Sequence, residues 1–343
     1  MNPFDQSVNR DCLFNNVTGK AVSPKVCDFL TNANTMDHQQ KLQFLEEYAS
    51  SPDRFEKPIK RNTILNFASD CIKKVQKSSE GKQAIPPKNH IEIIDGFYFL
   101  NVLGPSFPQT FGKISEHVLR KICGKDALEI HLVFDRYLSP SIKDAERHNR
   151  QEVDIPFSIV GPLRKRQLDF NKSLKNFRFK EALVEFFVQY WEDYSMTSFI
   201  QNKTVFITVQ ERCYSYRSVN GRIFKKEEGD FECQHEEADT LILFHMNKIN
   251  QNSTILVTVS DTDVPIILLG NIHTFPDMDI YLVTSFAHKE DFKCYSINDV
   301  ATSLSPNICR ALSAFHAFIG CDYTATFYRQ GKVPPFKLLQ KND

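Results

Sequence analysis

The 343-residue sequence has no run of about eighteen uninterrupted apolar residues, the length that a membrane-spanning helix requires. Its first residues, MNPFDQSVNRDCLFNN, have neither the basic start nor the apolar middle of a secretion signal. These two absences predict an intracellular protein, nuclear or cytoplasmic and not secreted. The nine cysteines include no CxxC pair, and their odd, scattered distribution predicts reduced thiols rather than a disulfide framework. Cys233 and His235 are the only close Cys/His pair, which is little support for a structural zinc site. A net charge is lacking as well, since 42 Lys and Arg balance 42 Asp and Glu. Any nucleic-acid surface therefore has to be local. There is no internal repeat and no extended low-complexity segment.

What is present is ordinary globular material, 41% hydrophobic and 24% charged, enough for one large or two modest domains. Residues 1–76 contain two helix-like stretches, HQQKLQFLEEYAS (38–50) and NTILNFASDCIKKVQ (62–76), which predict a small helical N-terminal extension. Residues 77–88, KSSEGKQAIPPK, have the composition of a linker. From residue 89 to 343 the pattern changes to apolar strands alternating with helices. HIEIIDGFYFL, ALEIHLVFDRY, KTVFITV, NSTILVTVS and DMDIYLVTS read as strands. PQTFGKISEHVLRKICG, KEALVEFFVQYWEDY, EEADTLILFHMNKI and DVPIILLG read as helices, and CYSYRSVNGRIFKK as a hairpin turning at Asn-Gly. The expected class is α/β, a mostly parallel sheet with helices on both faces.

In such sheets, polar functional groups gather beyond the carboxyl ends of the strands. Asp95, Asp135 and the pair Asp261 and Asp263 each follow an apolar strand. Capping is the plain alternative: Asp263 before Val264 and Pro265 suits a helix start, and Asp261 a turn. Each acid would need a separate explanation of that kind. Glu236, Glu237 and Asp239 open a helix, where carboxylates commonly just complement the dipole. Asp322 follows an apolar helix and a glycine, as an ordinary helix end would.

Taken in order, IIDG (Asp95), VFDR (Asp135), EEAD (Glu237, Asp239), SDTD (Asp261, Asp263) and GCDY (Asp322) resemble the motifs of the flap endonuclease and PIN-like nucleases. The resemblance spans residues 90–323. It is also similar to a set of uncharacterised invertebrate proteins that share SIKDAER and FHAF-GCD segments. The resemblance implies a PIN-like, Rossmann-like fold and a catalytic set that binds two Mg²⁺ or Mn²⁺ ions. Asp95, Asp135, Glu237 and Asp239 would serve one ion, and Asp261, Asp263 and Asp322 the other. Oxygen ligands without histidine or cysteine suit those hard cations, and two ions roughly 4 Å apart suit phosphodiester hydrolysis. Glu236 is left as a helix-start charge or as a group that supports the ligands from behind.

For the substrate, a nucleic acid of DNA or RNA type, Lys143, Arg147 and Arg150 align on one helical face after Asp135, which reads either as a phosphate-steering face or as a solvated helix whose basic residues pair with Asp144 and Glu146. Lys143 and Arg150 resemble the family's phosphate-steering pair, although their spacing from the aspartate differs by about one residue. The basic stretch 164–180, beginning Arg164, Lys165, Arg166, interleaves Phe170, Phe177 and Phe179. It reads either as a phosphate-binding and base-stacking surface or as a helix with an apolar stripe and a solvated face. Tyr98 or Phe99 is a further stacking candidate beside the core reading. The sequence departs from the flap endonucleases in its long N-terminal part and in its end soon after Asp322, as expected of a truncated product or of a nuclease with a different substrate grip. A catalytically silent nucleic-acid-binding or protein-interaction module is the alternative function. An aspartyl phosphatase fits less well, because its acid would lie on the first strand.

Overall fold

Alternation along the apolar runs decides which face each residue takes, and in the computed structural model the runs form one eight-stranded sheet. The structure describes residues 87–137, 155–261, 263–284, 293–319 and 333–341. The strands are β1 (Ile91–Asp95), β2 (Glu129–Val133), β3 (Thr204–Val209), β4 (Arg212–Val219), β5 (Arg222–Glu227), β6 (Thr254–Val259), β7 (Asp279–Thr284) and β8 (Lys293–Ser296). They lie in the order β5-β4-β3-β2-β1-β6-β7-β8. The five strands β3, β2, β1, β6 and β7 run parallel; β4 pairs antiparallel with β3 and with the edge strand β5, and the other edge strand, β8, pairs antiparallel with β7.

The helices are α1 (Gly96–Leu103), α2 (Phe111–Cys123), α3 (Phe170–Ser173), α4 (Phe177–Tyr190), α5 (Thr197–Ile200), α6 (Ala238–Lys248), α7 (Asp263–Gly270), α8 (Ile297–Ser303), α9 (Pro306–Ile319) and α10 (Val333–Lys341). Their local causes are readable. Helix α2 buries Phe111, Ile114, Val118, Leu119 and Ile122 along one stripe and carries Arg120 and Lys121 in its last turn. Asn176 caps α4 by accepting from Arg178 N–H at 3.0 Å. Asn220 and Gly221 take φ of 51° and 73°, the left-handed pair that a tight hairpin turn between β4 and β5 needs.

Two cores cover the two faces. Ile94, Ile130, Leu132, Val205 and Ile207 point to one, with Leu100, Leu119 and Phe187 of the covering helices. Ile93, Val133, Ile255, Val257 and Val259 point to the other, with Leu241, Leu268 and Leu312. The expected α/β class is therefore observed, as a mixed, mostly parallel sheet between helices. Among the described residues no helix is long and apolar enough to cross a membrane. The expected helical extension over 1–76 lies outside the described residues, and so does the linker over 77–88 apart from Pro87 and Lys88.

Candidate metal centre

The chain builds β1, β2 and β3 in one direction and then returns to lay β6 on the other side of β1. The strand order therefore reverses between β1 and β6, the kind of place at which open α/β sheets gather their functional groups. Asp95 ends β1 opposite Val133 of β2. Asp135 and Asp261 follow closely after the ends of β2 and β6. Gly96 makes the close approach of two of these strand ends possible: a Cβ there would overlap the buried Phe134 ring, which precedes Asp135. Gly96→Ala is expected to cost about 1–3 kcal/mol through overpacking and to weaken any ligand held by Asp95 and Asp135. A thermal melt identical to that of the unchanged protein would contradict this close fit.

The strand-end acids cap helices, and they also lie close enough to act on one another's charge. Asp95 Oδ1 accepts from Tyr98 N–H at 3.0 Å and caps α1. Asp135 Oδ1 accepts from Ala238 N–H at 2.7 Å, at the start of α6. Asp261 Oδ1 accepts from Asp263 N–H at 3.1 Å, at the start of α7. Three helix N-termini thus meet one rim, and their dipoles offset part of its negative charge.

The offset is incomplete. Burial pushes Asp95 up to about 7, and the carboxylates of Asp135 and Asp261 add to the rise against the N–H groups of Tyr98 and Phe97. Burial raises Asp239 to about 8, followed by the charges of Asp261, Asp95, Asp135 and Asp263. Five aspartates therefore act on one another here. Glu237 stands at the N-cap position of α6, half-buried. Asp322, Lys143, Arg147 and Arg150 lie outside the described residues.

Neighbours that the sequence did not single out fix this rim. Arg136 is buried; its backbone N–H donates to Glu236 O at 2.8 Å, and its guanidinium donates to Cys233 O and to Glu211 Oε1 at 2.9 Å. It ties the turn before α6 to the end of β2. Deeper in the fold, His131 and His245 have their Nδ1 atoms 2.8 Å apart, and His131 Nε2 stands 2.9 Å from Glu129 Oε1. Burial first, and then His131, hold His245 well below the usual imidazole range. Helix α6 is in this way pinned to β2 along its length. His316 on α9 reaches Asp263, with Nε2 3.0 Å from Oδ1.

The basic segment is more structural than its composition suggests. It is a loop followed by α3 and the start of α4, not one helix. Phe170 and Phe179 are core residues, and Phe177 packs half-buried against Tyr137. Phe99 is buried and Tyr98 half-buried. Arg166 gives its guanidinium to the backbone carbonyls of Phe107, Pro108, Gln167 and Leu168. Arg164 lies over the Phe157 ring and donates to Ser158 O. Arg164 and Lys165 are exposed.

The donor set is all oxygen and mutually repelling, and on that chemistry it fits a hard divalent cation. Among the described residues, no group of three or more His, Cys, Asp or Glu side chains is already arranged to hold a metal ion. The rim is a field of carboxylates rather than a preformed cage. No family model matches the chain, and no curated protein matches it.

Proposed function

We propose that the chain is a divalent-metal-dependent nuclease of PIN-like fold, similar to the flap endonucleases, which hydrolyses phosphodiester bonds of DNA or RNA. The mutual charge of Asp95, Asp135, Asp239, Asp261 and Asp263 at one rim carries this reading. Capping alone accounts for one carboxylate at each helix start, but it does not account for two of them being raised by burial and then by their neighbours' charge. Buried carboxylates held against one another in this way are a recurrent feature of functional sites.

Asp95, Asp135, Glu237 and Asp239 would hold one Mg²⁺ or Mn²⁺ ion, and Asp261, Asp263 and Asp322 the second. When bound, the two ions supply Lewis acidity at the phosphate and a water acidic enough to lose its proton near neutral pH. The chain's own contribution is orientation. The N–H groups of Tyr98, Ala238 and Asp263 hold three of the carboxylates before any ligand arrives. Arg164 and Lys165, exposed on the loop before α3, and Lys143, Arg147 and Arg150, which follow Asp135 in sequence, would neutralise substrate phosphates. Arg166 is assigned to holding its loop.

The test is cleavage of labelled single-stranded, duplex and flapped DNA and RNA by the purified full chain in Mg²⁺, Mn²⁺ or EDTA. Cleavage that needs the cation is expected on at least one substrate. One observation favours a second reading, a silent nucleic-acid-binding module: the absence, among the described residues, of a ready-made metal-holding group. That reading predicts binding without cutting in every cation.

A further inference from the structure

One imidazole enters the acidic rim from outside the strand-end loops. His316 lies on α9, 53 positions from Asp263 in sequence, with Nε2 3.0 Å from Asp263 Oδ1. The two side chains are only 10% and 20% exposed, so this is not one of the loose surface pairs that contribute almost nothing. A carboxylate oxygen accepts, and Nε2 therefore carries the proton and donates it.

The contact is held by packing and does not depend on one rotamer alone. Helix α9 lies against α7, where a Cβ at Gly270 would overlap Ser313 Oγ. Ile308, Cys309 and Leu312 of α9 share a core with Val264, Leu268 and Leu269 of α7. The helix that follows Asp263 and the helix that bears His316 are thus fixed to each other.

We propose that His316 is the positioning residue of the cation seat that Asp261 and Asp263 offer, holding Asp263 through Oδ1 so that Oδ2 is presented to the ion. The inference rests on the nuclease reading above and extends it: affinity at this seat depends on the docking of α9 as well as on the loop that carries the acids. Hydrogen bonds to ligating groups commonly govern metal affinity by 10–100-fold. Histidine here supplies one N–H at a set place, a task that a glutamine amide can reproduce and a methionine cannot.

The test is Mn²⁺ titration, followed by calorimetry, of the full chain and its His316→Met and His316→Gln variants, with thermal melts to establish that each is folded. Two Mn²⁺ ions are expected to bind the unchanged chain. His316→Met is expected to weaken one of them about 10–100-fold, while His316→Gln keeps most of the affinity. Equal affinity in His316→Met, or a loss that His316→Gln does not restore, overturns the role of His316 and leaves the metal reading standing. If the unchanged chain binds no Mn²⁺, the metal reading itself falls, and the inference with it.

Discussion

Replacing Asp261 and Asp263 together by alanine is expected to lower cation-dependent cleavage by on the order of 10³-fold or more. The estimate follows from the several kcal/mol that Lewis-acid stabilisation contributes to phosphoryl chemistry, at about 1.4 kcal/mol per tenfold in rate. The two acids follow β6, the strand on the far side of β1 from β2, and their removal takes carboxylates from that side of the rim. The loss should be in the chemical step, seen under single-turnover conditions, with nucleic-acid binding retained through the basic residues. Because Asp261 also accepts the N–H that opens α7, the double variant is expected to lose about 1 kcal/mol of cap stability. Circular dichroism and a thermal melt separate that cost from the catalytic one. Cleavage at an undiminished rate by the double variant would contradict the assignment.

The second large effect has the opposite sign for stability. In EDTA, Asp239→Asn is expected to stabilise the protein at pH 8 by on the order of a few kcal/mol, seen as a rise in melting temperature, while abolishing cleavage. Asp239 is raised from 3.8 to about 8 in the folded protein. The folded state then binds more protons than the unfolded one between those values. Stability from this group is fully present below the unfolded value, and is lost as pH rises through about 8. Asp95, raised to about 7, acts in the same direction. The metal-free protein should accordingly melt at lower temperature at pH 8 than at pH 5. Asp239→Asn should flatten that slope, and Mg²⁺ should restore the unchanged protein at pH 8 more than it does the variant. A slope equal in both proteins would show that the crowding at Asp239 is relieved in some other way.

Much of this architecture was legible because single elements announce themselves. Apolar runs with β-branched residues, such as TVFITV and TILVTV, became buried strands, and Asn-Gly became the hairpin turn. The edge strand β8 was missed: four residues, Lys293–Ser296, carry too short a pattern. Helix α8 went unread for a similar reason, since its seven residues bury little beyond Ile297 and Val300. The basic stretch misled by composition, because phenylalanine spacing alone cannot tell a stacking platform from a core, and Phe170 and Phe179 are core.

At the rim, the acids that follow strands could be found from sequence, because strand ends and helix starts are local features. Their partners could not. Asp135 caps a helix whose first residue is 103 positions away, and His316 meets Asp263 across 53. Such pairs depend on how α6 and α9 dock, which is decided by volumes such as the missing Cβ of Gly270. Arg136 had a weak local signal, standing directly after Asp135. Its burial against Cys233 O and Glu211 had none.

The central claim is that these carboxylates form a seat for two cations, and anomalous scattering from crystals of the full chain soaked in Mn²⁺ tests it most directly. Two peaks roughly 4 Å apart are expected, one among Asp95, Asp135 and Asp239 and the other beside Asp261 and Asp263. Crystals that keep these side chains ordered and bind no Mn²⁺ among them, at concentrations that saturate known two-ion nucleases, would contradict the account and leave a capped, acidic rim without metal chemistry.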